Sequence, residues 1–217
     1  AAQVGHSSTS KVSHNPAAYQ PTGVFVTSQN IVDAITVASL RNIEVREGDG
    51  GVARIGHTIV ETGALSKTDA VKTSTADPST VAQSIDSDIA VTAGNSLAMV
   101  TDSGTAQIGH YSPPSNEWQV TGGRVVTPQK IGGDITVKVG LNATPTVVGQ
   151  APAPGALGTN NALLDGTAGG EVRIGHKFAP VEGAALNEVQ TASGDIWVEV
   201  GAHLHAKTAN IGQGPYD

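Results

Sequence analysis

The chain has no cysteine, few aromatic residues, little charge and no long apolar run, and each shortage closes off a class of answer. Without cysteine there are no disulfides, no thiolate nucleophile and no Cys-based zinc site. Aromatic residues make up 3% of the sequence and charged residues 14%, against 38% hydrophobic. That is too little charge for a typical disordered segment and too few large side chains for a thick globular core. A narrow core of Ile, Val, Leu and Ala suits the composition. The formal charge is −7 and no stretch clusters Lys or Arg, so nucleic acid is not an expected partner. No apolar run approaches the ~20 residues that cross a bilayer, so no membrane span is expected.

What the chain does have is glycine, 27 residues of it, and two short motifs that keep returning. The first is Ala53-Arg54-Ile55-Gly56-His57, repeated as Ala106-Gln107-Ile108-Gly109-His110 and Val172-Arg173-Ile174-Gly175-His176. Weaker copies stand at Ala2-Gln3-Val4-Gly5-His6 and Ala209-Asn210-Ile211-Gly212-Gln213. The second motif alternates with it: Asp88-Ile89-Ala90-Val91, Asp134-Ile135-Thr136-Val137 and Asp195-Ile196-Trp197-Val198, with Asp33-Ala34-Ile35-Thr36-Val37 as a looser form. Two alternating motifs indicate a repeat architecture. The repeats run approximately over 1–57, 58–110, 111–176 and 177–217, within a single repeat segment.

Within a repeat the aliphatic residues alternate as strands do. Ile35 and Val37, then Ile43 and Val45, then Ala53 and Ile55 make three short strands; Ile89 and Val91, Leu97 and Met99, Ala106 and Ile108 make three more. In the third repeat Leu163 stands eleven residues before Ile174, as Leu97 does before Ile108, which leaves the Pro- and Gly-rich residues 141–160 as an inserted loop. The expected fold is all-β: a right-handed parallel β-helix of about four to five coils, three short strands per coil, with loops and hairpins inserted at one corner. At ~4.8 Å per coil its core would be ~20–25 Å long. An alternative count gives two coils per repeat, the insertions forming full turns.

Stacking would place Ile35, Ile89, Ile135 and Ile196 in one buried ladder, and Ile55, Ile108, Ile174 and Ile211 in another. β-Branched residues suit such ladders and the extended backbone. Gly56, Gly109 and Gly175 supply backbone freedom at a corner, followed each time by His57, His110 or His176. The segments between the histidine motif and the next Asp-Ile are very uneven in length, and insertions there cost little closure entropy. Trp118-Gln119-Val120, Thr121-Gly122-Gly123, Arg124-Val125-Val126 reads as a hairpin, and Gly23-Val24-Phe25-Val26 as a strand.

The alternation of Ala-x-Ile-Gly-His with Gly-Asp-Ile-x-Val resembles the repeats of filamentous-haemagglutinin-type exoproteins, which are very large surface adhesins of Gram-negative bacteria. The resemblance covers the four coil cores, about half of the chain. Family copies often continue the histidine with Gly-Gly, whereas Ser7, Thr58, Tyr111 and Lys177 follow it here. The Asn-Pro-rich motifs of the family's secretion domain are missing, and Asn15-Pro16-Ala17 does not replace them. The resemblance therefore implies a shaft or distal module, secreted to the extracellular space or the bacterial cell surface.

His6, His57, His110 and His176 would line one corner, as a metal-binding or pH-sensitive ladder or as turn histidines that bond backbone groups and stack. The second reading is the expected one, since no carboxylate accompanies each His and Gln213 breaks the row. Asp33, Asp88, Asp134 and Asp195 would form a similar column, open to calcium in principle, but Asp also suits entry from a turn into a strand. Glu61, Asp69, Asp77, Glu117, Glu182 and Glu188 are scattered, so no catalytic residue, metal site or cofactor is expected. Trp118 and Trp197 are candidate sugar contacts or loop packing.

The expected function is an extracellular structural or adhesive repeat protein, a fibre or shaft segment presenting variable loops. The competing class is a carbohydrate-active β-helix enzyme, a polysaccharide lyase or hydrolase. Expected partners are copies of the chain or further repeats stacked end to end, and a host or neighbouring-cell surface or polysaccharide. The chain starts at Ala1 inside a motif copy and without a signal-like segment, and is expected to be a processed product or a fragment of something longer.

Overall fold

In a computed structural model of the chain, the described residues are 2–11, 27–62, 81–112, 117–120, 123–126, 129–140, 161–166, 169–178 and 190–213. They are all-β, and every sheet but a single hairpin is parallel. The chain opens with β1 (Ala2–Val4) and β2 (Ser7–Lys11). One repeat follows as β3 (Thr27–Ile31), β4 (Ile35–Ser39), β5 (Asn42–Glu47), β6 (Val52–Ile55) and β7 (Thr58–Thr62). The next is β8 (Val81–Asp86), β9 (Ile89–Ala93), β10 (Ser96–Thr101), β11 (Thr105–Ile108) and β12 (Tyr111–Ser112), followed by β13 (Glu117–Val120) and β14 (Gly123–Val126). The third is β15 (Gln129–Gly132), β16 (Ile135–Val139), β17 (Ala162–Gly166), β18 (Glu171–Ile174) and β19 (Lys177–Phe178). The last is β20 (Gln190–Ala192), β21 (Ile196–Val200), β22 (Leu204–Lys207) and β23 (Ala209–Ile211).

Each of the three full repeats gives one strand to each sheet, and the last, among the described residues, gives one to every sheet but B. Sheet A is β1-β6-β11-β18-β23, sheet B β2-β7-β12-β19, sheet C β3-β8-β15-β20, sheet D β4-β9-β16-β21 and sheet E β5-β10-β17-β22. The sequence reading counted three strands per repeat; the structure has five. The three expected ones are sheets D, E and A, while sheets B and C are built from residues assigned to the insertions. Their strands are polar and short of aliphatic alternation, for example Thr27-Ser28-Gln29-Asn30 and Ser7-Ser8-Thr9-Ser10, so periodicity gave no sign of them.

The ladders follow from register. Ile35 pairs with Ile89, Ile89 with Ile135 and Ile135 with Ile196, so the four stand directly above one another in sheet D. Val4, Ile55, Ile108, Ile174 and Ile211 do the same in sheet A. The inner members of both ladders and the inward residues of sheet E form one continuous core. Ile108, Ile135 and Ile174 are fully buried, each contributing about 1.5–3 kcal/mol of burial free energy. A second core holds Ile31, Ile85, Ile131 and Phe178 between sheets B and C, with Ala192 against it.

One register differs from the sequence reading. Leu97 pairs with Ala162 and Met99 with Leu164, so Leu163 faces outward beside Ala98 and is half-buried, while Leu164 is inside. The turn from sheet E to sheet A is one residue longer in the third repeat than in the second, as it is in the first, and a one-residue slip reverses every side chain of a strand. β13 and β14 form the expected hairpin, but Gly123, read as part of the turn, is the first strand residue and stands opposite Val120. Residues 141–160 and Gly23-Val24-Phe25-Val26 lie outside the described residues.

The Gly in Ile-Gly-His answers to close approach more than to bending alone. Gly109 has φ +153°, and a Cβ there would lie 2.0 Å from the carbonyl oxygen of Gly175 in the next layer. Gly56 stands in the same relation to Gly109. At parallel-strand spacing the column admits no side chain.

A histidine column between two cores

His57, His110 and His176 sit where sheet A hands the chain to sheet B, and all three are fully buried. Facing them is the junction from sheet C to sheet D: Asp33, Ser87 and Gly133. The Nε2–H of His57 donates to the Asp33 carbonyl at 2.6 Å, that of His110 to Ser87 at 2.7 Å and that of His176 to Gly133 at 3.0 Å. Nδ1 of each ring accepts the backbone N–H of the histidine one layer away: His6 to His57 at 3.0 Å, His57 to His110 at 3.0 Å and His110 to His176 at 3.2 Å. An Nδ1 that accepts a backbone N–H fixes the neutral tautomer with its proton on Nε2. The rings stack with centroids 5.4, 5.0 and 4.8 Å apart.

At His57, His110 and His176 the column therefore ties two corners of a layer together across the boundary between the two cores. Gln213 occupies the next place, and its Nε2 donates to the Gly194 carbonyl at 2.5 Å. The residue that breaks the histidine row in the sequence keeps the bond in the structure.

Electrostatics favour the neutral rings. Burial pushes the His110 pKa down to about 3; the Ser87 carbonyl opposes this, while His176, His57 and Arg54 add to it. Burial also lowers His57, against the pull of the Asp33 carbonyl, and lowers His176, against that of Gly133. With both nitrogens of the three buried rings committed, a cation would have to break a backbone hydrogen bond to reach one. Among the described residues, no group of three or more His, Asp or Glu side chains converges as a metal site would require.

The aspartate column has a backbone partner as well. Asp88 Oδ1 accepts the N–H of Asp134, and Asp134 Oδ1 that of Asp195, both at 2.8 Å. Each carboxylate stitches one turn to the turn of the next layer. Glu61 and Glu117 fall on β7 and β13, while Asp69, Asp77, Glu182 and Glu188 lie outside the described residues. Trp197 is in register with Thr136, Ala90 and Thr36 on the outward side of sheet D and is 63% exposed.

Sequence reasoning missed a third column. The variable residue of Ala-x-Ile-Gly-His runs Gln3, Arg54, Gln107, Arg173, Asn210 along the outward side of sheet A. Gln107 Nε2 donates to the carbonyls of His110 at 3.2 Å and Gly175 at 2.9 Å, and Gln3 makes the same pair of bonds to His6 and Gly56. The Arg54 guanidinium donates to Gln107 Oε1 at 2.9 Å and Thr58 Oγ at 2.7 Å, and lies 4.6 Å from the Tyr111 ring centre. Burial brings the Arg54 pKa down to about 10, opposed by Tyr111 and Glu171. Arg173 donates to Glu171 at 3.0 Å and to the Gly212 carbonyl at 3.1 Å, and Lys177 Nζ reaches Glu171 at 2.6 Å. The alternation of Gln with Arg was the available signal.

Compared with protein-family models, with curated proteins and with solved structures, the chain gives no match in any of the three.

Proposed function

We propose that the chain is a segment of an extracellular structural or adhesive repeat protein, wound as a right-handed parallel β-helix. The observation that carries this reading is the use of every repeated side chain. Ile, His, Asp and Gln/Arg side chains each hold one layer to the next and Gly lets the backbones approach, while the connections from sheet B to sheet C (12–26, 63–80, 113–128 and 179–189) differ in length from repeat to repeat. A scaffold that fixes its repeats and varies one set of connections suits presentation of a surface. The right-handed winding is the sense that parallel strand connections favour. The likeness of the two motifs to filamentous-haemagglutinin-type repeats supports a shaft at the bacterial cell surface.

Val4, Leu204 and Ile211, in the outermost layers, are 51%, 41% and 45% exposed, although their equivalents inside the stack are buried. These ladder ends are apolar and border strand edges that pair with no further strand among the described residues, so they suit stacking of further repeats or of a second copy. Among the described residues no helix is long and apolar enough to cross a membrane.

The test is a binding and turnover screen on cell surfaces and polysaccharides. An adhesive scaffold binds, keeps binding when any single acid is replaced, and loses it when one sheet B-to-C connection is deleted. Turnover of a polysaccharide that disappears on replacing a local acid pair would refute the reading in favour of an enzyme.

A further inference from the structure

The histidines are placed to do more than fill a corner. Each bonds the junction of sheets C and D from the junction of sheets A and B, so the column is the direct tie across the neck between the two cores. The two sides are unequal in pairing: β12 and β19 of sheet B are two residues long and β20 of sheet C three, whereas every strand of sheets D and E runs four to six. If the tie is cut, the side with the shorter strands gives way first. We propose that the column is an acid-released clasp: protonation of His57, His110 and His176 frees the lobe made by sheets B and C while the core shared by sheets A, D and E stays folded.

The chemistry of release is specific. A second proton can only enter at Nδ1, the atom that accepts the neighbouring layer's N–H. Protonation therefore turns an acceptor into a donor facing a donor, and places a charge in a buried stack of imidazoles. Because each Nδ1 takes its N–H from the next histidine, loss at one layer loosens the adjacent one. The charged and titratable groups acting on the column are Arg54 from β6, Asp33 at the start of β4, and the other histidines, including His6. Arg54 opposes a charge on His110, and Asp33 partly favours one on His57.

The sign follows from the depressed values. The clasped ring holds its second proton only at low pH, whereas a freed histidine takes it near its ordinary 6.5. The clasp is fully stable above pH 6.5 and weakens as pH falls below it, about tenfold per pH unit for His110 until pH approaches 3. At pH 4.5, two units below 6.5, His110 alone shifts the opening equilibrium by about 100-fold.

The chain supplies its own control in Gln213, which makes the same bond to the facing junction without a titratable group. Amide hydrogen exchange of the whole chain at pH 7.0 and 4.5, corrected for intrinsic rates, is the measurement. The expected result is a loss of protection of about 100-fold or more in sheets B and C, with sheets D and E unchanged. The triple variant H57Q/H110Q/H176Q should show the same protection in sheets B and C at both pH values. Uniform loss across all five sheets, unchanged protection in sheets B and C, or a triple variant as pH-sensitive as the parent would each overturn the proposal. If the triple variant does not fold, the imidazole resonances of the parent decide. A His110 ring that charges near pH 6.5 while sheets B and C stay protected overturns it; one that charges together with their loss of protection supports it.

Discussion

Replacing Gly109 with Ala tests the stacking at its tightest point. The added Cβ would stand 2.0 Å from the Gly175 carbonyl oxygen and 3.2 Å from Gln107 Nε2, and contacts under 3.0 Å are essentially never seen for a real Cβ. The obstacle is backbone of the next layer, so it cannot swing aside as a side chain would; the two layers must part or twist locally. Overpacking of this kind costs about 1–3 kcal/mol. The φ of +153° adds strain for an L residue, on the order of 1–3 kcal/mol. The expected loss is thus about 2–6 kcal/mol, a large part of the stability of an ordinary domain. Gly212 is the same motif position in the outermost layer, where the nearest atom to an added Cβ is Asn210 Oδ1 at 3.4 Å. There Ala should be anything from neutral to about 1 kcal/mol stabilising, by restricting the unfolded chain. Urea denaturation of both variants, read as midpoint and slope, gives the comparison. Equal effects, or a loss below about 1 kcal/mol for Gly109→Ala, would refute the account of the glycine column.

Leu164→Ala should cost about 2–5 kcal/mol and Leu163→Ala under about 1 kcal/mol by the same assay, since only Leu164 faces the core; the reverse order would place β17 one residue out of register. Glu47 accepts hydrogen bonds from the Thr101 hydroxyl at 2.6 Å, the Gly104 N–H at 2.8 Å and the Gly51 N–H, and its pKa is lowered, chiefly by Thr101. Its contribution is present above the ordinary 4.5 and lost as pH falls through the lower folded value, so Glu47→Gln should be less stable at pH 7 and lose less between pH 5 and 3. Denaturation at several pH values checks this. Asp134→Ala removes the acceptor for the Asp195 N–H and should cost about 0.5–1.5 kcal/mol, seen as a lowered thermal midpoint.

The parts of the fold legible in the sequence were those with aliphatic periodicity. Ile and Val spaced by two mark the strands of sheets D, E and A, and recurrence of Ile-Gly and Asp-Ile sets their register across layers. Sheets B and C were not legible because half of their strand residues are Ser, Thr, Gln or Asn and their few aliphatic residues do not alternate along the strand. The Leu163 slip shows the limit of counting from one anchor: Ile174 fixes sheet A, but a turn longer by one residue reverses the strand before it. The site was half-legible. Gly-His recurrence located the column, while its partners Asp33, Ser87 and Gly133 share no residue type, because what they contribute is a backbone carbonyl. A backbone acceptor leaves no trace in side-chain identity.

Backbone groups at the corner also select histidine there. At each layer the junctions of sheets A–B and C–D bring a backbone N–H and a backbone carbonyl into the boundary between two cores, away from water. An apolar side chain there would leave both groups unsatisfied, at about 1–3 kcal/mol each. A neutral imidazole offers one acceptor and one donor on opposite edges of a flat ring, and flat rings repeat at the 4.8–5.4 Å spacing seen in the column. Gln can make the carbonyl bond, as Gln213 does, but it loses more rotamer freedom and cannot stack its face on a neighbour. Inside the stack the ring has the advantage; in the outermost layer, where Gln213 sits partly exposed, the amide suffices. Replacing His110 with Gln at neutral pH should therefore cost less than replacing it with Leu, which fills the volume but leaves the His57 N–H and the Ser87 carbonyl unpaired. Equal losses from the two variants in chemical denaturation would show that packing, not the pair of hydrogen bonds, selects the ring.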